Sequence, residues 1–159
     1  LEVIENLNKN LKQQVKLYEE LLSLEERKQK ALIENNLQEI DATTSLEEKV
    51  MSEASLMERE RLQWASAIGR DLGKKPEDLT LAELAESFPV LNEVRSDLDL
   101  VVHRLQTIHV INAQLLEQAM KIVEFTVGML THQEKGTYTH PHRKENEENR
   151  KLHLLDWRI

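Results

Sequence analysis

Hydrophobic positions in this chain recur at intervals of three and four residues over most of its length, the period of one face of an α-helix. Over residues 1 to about 35 the stripe runs through Ile4, Leu7, Leu11, Tyr18, Leu21 and Leu32, with Val15 and Leu22 beside it. Gln14, Glu25 and Lys28 fall on the same face and leave the seam imperfect. At 1.5 Å per residue this helix is about 50 Å long, longer than a small globular domain is wide.

The stretch "ENNLQEI" interrupts the stripe. Asn36 followed by Glu39 has the spacing of a capping box and predicts a break before a second helix over 37–72. Apolar positions in that helix include Leu37, Ile40, Leu46, Val50, Met51, Met57, Leu62, Ala65, Ile68 and Leu72. Gly73 is a C-terminal stop and Pro76 prevents easy continuation. Thr80 and Glu83 form a second capping box, which predicts a short helix over 81–87. Pro89 then turns the chain or enters the first turn of the next helix.

The last helix, predicted over about 90–131, is the most regular. Leu91, Val94, Leu98, Val101, Leu105, Ile108, Asn112, Leu115, Ala119, Ile122, Thr126 and Met129 alternate spacings of three and four, a coiled-coil seam. From Val110 onward the apolar surface widens, as Leu116, Met120, Val123, Phe125, Val127 and Leu130 join it. Thirteen of the 21 residues from Val110 to Leu130 are apolar, more than one neighbouring helix covers. Asn112, Glu117, Lys121 and Glu124 interrupt the run and make it a poor bilayer span. The predicted fold is therefore all-α: an elongated antiparallel bundle or coiled coil of about three long helices with a short connector helix. The helical body spans 1–131. A polar, flexible tail with an apolar terminus, "LHLLDWRI", spans 132–159.

Composition fits this reading. Only four Gly, three Pro and six aromatic residues occur among 159, so many short strands are excluded. There is no cysteine, hence no disulfide framework and no thiolate metal site. No basic-plus-apolar leader opens "LEVIENLNKN", and the chain reads as soluble. Residues 1–131 carry 24 acidic and 15 basic side chains, while the last 28 carry five and six. The acidic body repels nucleic acid and anionic membrane alike.

Catalytic constellations are missing. Gly69 and Gly73 build no phosphate loop, and acidic pairs such as Glu19–Glu20 read as solvated faces. His103 and His109 lack the Lys and small-residue setting of a phosphotransfer histidine and read as the edge of a helical interface. His132, His140 and His142 on the tail are a weak transition-metal pattern. No cofactor or metal is expected. Asn112, in an apolar seam, requires a partner, either as a register-fixing contact within the bundle or as an amide that meets a bound peptide.

These features in this order resemble the FlgN family of flagellar export chaperones. "LLSLEERKQKALIENNLQEIDATTSLEEKVMSEASLMERERL" is similar to the family's first half, "DLTLAELAESFP" to its leucine-rich connector and "INAQLLEQAMKIVEFTVGML" to its late helix. "GTYTHP" and "LLDWRI" are similar to tail elements, although the tail holds more His and charge than the family pattern and has Trp157 where a smaller or charged residue is expected.

The resemblance implies a non-enzymatic, cytoplasmic bacterial chaperone. Its clients are the C-terminal helical segments of the hook–filament junction (hook-associated) proteins, which it keeps unassembled and delivers to the flagellar export apparatus. A broad apolar helix face suits helix-in-groove recognition. The expected client surface is Asn112, Leu115, Leu116, Ala119, Met120, Ile122, Val123, Phe125, Val127 and Leu130. Some of these must face the other helices. A second expectation is that Leu152, Leu154, Leu155, Trp157 and Ile159 dock on that surface, of their own chain or of a neighbour's, with a disordered end or a contact with the export machinery as the alternatives. Weak self-association in concentrated samples is also expected. The competing class is a coiled-coil scaffold or adaptor.

Overall fold

A computed structural model of the chain describes residues 2–131. The tail, with every reading placed on it, lies outside the described residues. Helix α1 runs Glu2–Ile33, α2 Leu37–Leu72, the short α3 Leu81–Ser87 and α4 Asn92–Thr131. One-turn 3-10 segments, Pro76–Asp78 and Pro89–Leu91, flank α3. The architecture is an all-α, elongated bundle.

Local chemistry explains each boundary. The end of α1 is a Schellman turn: Asn35 takes a positive φ of 52°, and the Asn36 amide donates to the Ala31 carbonyl at 2.9 Å. Asn36 then caps α2, its side chain accepting the Glu39 amide at 3.2 Å. The reciprocal half of the expected capping box is absent here. The Glu39 carboxylate turns instead to Arg27 on α1, at 2.6 Å, because the three-residue turn brings the two helices side by side. Gly73 closes α2 with the same Schellman geometry at φ 65°. The box at Thr80 and Glu83 is complete in both directions.

The tight turn makes α1 and α2 antiparallel. The connector then returns the chain so that α4 runs parallel to α1, with Lys12 beside Glu93 and Glu25 beside His109. Helix α1 lies between α2 and α4, which hardly touch each other. It therefore carries most of the core: Leu7, Leu11, Tyr18, Leu21 and Leu24 are buried between Val50, Ala54, Ala65 and Ile68 of α2 and Val94, Leu98, Val101 and Ile108 of α4. Leu79, Leu84 and Leu91 plug the connector end.

The buried face of α2 differs from its apolar inventory. Leu37, Leu46, Leu62 and Leu72 are exposed, whereas Thr43, Glu47, Ala54 and Arg61 are buried. The packed stripe of α2 keeps the spacing of three and four but carries polar side chains that find partners. Thr43 donates to its own helix at Glu39 O, 2.8 Å away. Glu47 pairs with Lys28, and Arg61 with Glu58.

Candidate functional site

The seam of α4 keeps its apolar character to Met129, but its neighbour ends first. Beyond the level at which Glu25 meets Asn112, α1 has only eight residues left and α4 has 19. The burial pattern follows that difference. Val94, Leu98, Val101, Ile108 and Asn112 are buried, Leu115 and Ala119 are half-buried, and every residue from Met120 to Thr131 is exposed. The overhang of about 12 residues is about 18 Å long.

Its surface is divided lengthwise. At 100° per residue, Leu116, Ala119, Val123, Val127 and Leu130 continue the direction in which Asn112 points, with Leu115, Ile122 and Met129 on one flank and Met120 on the other. Phe125 extends the flank. Glu117, Lys121 and Glu124 occupy the opposite side, where Lys121 and Glu117 pair at 3.3 Å. The exposed side chains are large: Leu130 is 78% accessible, Phe125 70% and Ile122 66%. Isolated exposed hydrophobes are ordinary on a protein surface, whereas a contiguous half-cylinder is not. Ile33 and Leu37, on either side of the α1–α2 turn, are exposed as well.

Asn112 is placed differently from the rest of the expected surface. It is 4% accessible, and its side-chain amide donates to Glu25 twice, to the carbonyl at 2.8 Å and to Oε2 at 2.6 Å. That amide is engaged inside the bundle and is not presented to a ligand. Of the two roles considered for it, the structure favours the internal contact. The other Glu25 oxygen meets His109 Nδ1 at 3.2 Å. Burial pushes the Glu25 carboxyl toward neutrality, but the hydrogen bonds from His109 and Asn112 and the charge of Lys28 outweigh it, so its pKa falls below the usual carboxylate value. Glu47, on the α2 side of the same layer, has its pKa raised: burial dominates, the nearby Glu25 charge adds to it, and Lys28 offsets it only in part. A polar layer drawn from all three long helices thus sits just below the apolar overhang.

Among the described residues no group of three or more His, Asp or Glu side chains is arranged to hold a metal, and no helix is long and apolar enough to cross a membrane. His103 is exposed on the outer side of α4. What the site offers is an apolar helical face with a polar back, the geometry by which one helix receives another.

Comparison with known proteins is consistent with that geometry. Neither curated proteins nor solved structures give a match to this chain. A family model described as "FlgN protein" matches residues 3–152, which takes in α2, α3 and α4 whole and all of α1 but its first residue. The family is one of flagellar export chaperones, and by a match over nearly its whole length the chain belongs to it.

Proposed function

We propose that the uncovered half of α4 binds the C-terminal helical segment of hook–filament junction (hook-associated) proteins. In the bacterial cytoplasm this would keep those clients from assembling early and hold them for the export apparatus. The observation that supports this reading is the uncovered face itself, which continues the α1–α4 interface past the end of α1. A client helix laid there takes the position that a longer α1 would occupy. It packs against Leu116, Val123, Val127 and Leu130. Met120 and Met129 supply adaptable contact area for clients of differing sequence. Asn112 is removed from the client surface and serves as its base. Covering the self-assembling segment of a client is sufficient to hold that client monomeric.

The test is Val123→Asp combined with Val127→Asp, in pull-down and titration against purified hook-associated proteins. Both side chains are exposed, so the bundle should keep its helicity. Each valine contributes about 1.5 kcal/mol when buried at an interface, and the aspartates add a desolvation cost. The expected loss is therefore at least about 3 kcal/mol, more than about a hundredfold in affinity. Unchanged client binding by a fully helical double variant overturns the assignment. Failure of the parent chain to bind any hook-associated protein, with self-assembly in its place, would instead favour the coiled-coil scaffold.

A further inference from the structure

The uncovered face of α4 is followed directly by 28 further residues, and the last eight, "LHLLDWRI", are the most apolar of them. We propose that in the free protein this terminal segment seats on the overhang of its own molecule and that a client must displace it. The proposal rests on the client-binding reading above, because it concerns the same face.

Reach permits it. Residues 132–151 separate the end of α4 from Leu152, and 20 residues span up to about 70 Å. The return from Leu130 to Leu116 along the helix is only about 21 Å. The segment carries five apolar side chains, Leu152, Leu154, Leu155, Trp157 and Ile159, enough to cover the row Leu116, Val123, Val127 and Leu130. Charge favours the return as well: residues 1–131 have a balance of −9 and the tail one of +1, with four histidines besides. The family match ends at residue 152, the first residue of this segment. A segment tethered beside its site competes at high effective concentration. It would shield the apolar face until a better ligand arrives.

Trp157 reports the contact. The chain has two tryptophans, and Trp64→Phe leaves Trp157 as the sole emitter. In dilute solution of the 159-residue chain its emission should be blue-shifted. Adding Val123→Asp and Val127→Asp should move it to the wavelength of a solvent-exposed indole. Solvent-like emission in both proteins overturns the proposal, as does a blue shift that survives the double substitution. A blue shift lost on dilution overturns it too, because the segment then sits on a second copy. None of these readings uses a client, so tail docking can stand even if the hook-associated proteins fail to bind. A second measurement uses the chain ended after Lys151. If the segment covers the face nine-tenths of the time, removing it should tighten the apparent client Kd about tenfold; an unchanged Kd overturns the displacement.

Discussion

Replacing Asn112 by Ala tests the contact that fixes α4 against α1. The substitution removes a donor to an ionised, buried carboxylate at 2.6 Å and a second bond to the Glu25 carbonyl at 2.8 Å. A hydrogen bond to a charged group contributes about 1.5–3 kcal/mol net and a neutral one about 1 kcal/mol. Two effects moderate the loss. His109 and Lys28 still stabilise the Glu25 charge. Asn112 Oδ1, which has no partner among the described residues, is removed with the side chain. The expected cost is about 2–3 kcal/mol, a fall in Tm of roughly 6–12 °C for a body of this size. Urea titration and circular-dichroism melts measure it directly. Asn112→Asp makes the sharper comparison, since it keeps the shape but sets a second carboxylate against Glu25. It should be less stable than Asn112→Ala at neutral pH, with the gap closing as the solution is acidified and the pair takes up a proton. An alanine variant within about 0.5 kcal/mol of the parent, or an aspartate variant as stable as the parent at pH 7, would refute this account of the layer.

Further outcomes follow from other contacts. Because the folded-state pKa of Glu25 is depressed, the stability it supplies is complete above the ordinary carboxylate pKa and fades as pH falls through the folded value. Glu25→Gln should therefore lower stability at pH 7 and flatten the acid limb of a stability–pH profile; an unaltered slope contradicts this. The raised pKa of Glu47 acts in the opposite sense, so Glu47→Gln should leave that limb at least as steep. A Cβ at Gly69 would lie 2.7 Å from the Lys74 carbonyl oxygen, so Gly69→Ala should destabilise by about 1–3 kcal/mol in urea titration. Gly128, with nothing within 4 Å, should gain up to about 1 kcal/mol of helix stability on the same change. Thr80→Ala removes the capping hydroxyl and should cost about 1 kcal/mol.

Most of the fold was legible in the sequence because helices declare themselves locally. The stop at Gly73, the box at Thr80 and the spacing of α4 each involve neighbours a few residues apart. The polar layer is different. Glu25 reads as a flaw in one stripe and Asn112 as a flaw in another, and nothing in the one-dimensional pattern says that they meet across 87 residues. The buried stripe of α2 was hidden for a related reason. Thr43, Glu47 and Arg61 hold positions that periodicity alone reserves for apolar residues, and their burial depends on partners in α1 or within α2 itself. The widening of α4 beyond Val110 was plain in the sequence. Which residues of that run stay uncovered was not, since that depends on where α1 stops.

The uncovered length of α4 is a difference between two helices rather than a property of one. Past the Glu25–Asn112 contact, α4 outlasts α1 by 11 residues. Lengthening α1 by three turns at the Asn35 hinge would fill the cradle with the protein's own backbone, without touching a residue of α4. Shortening α1 would deepen the cradle by about 1.5 Å for each residue removed. Under the proposed function, the three-residue turn after Ile33 sets how long a client segment the face receives, and small insertions or deletions there would change that length while the contact chemistry stays fixed.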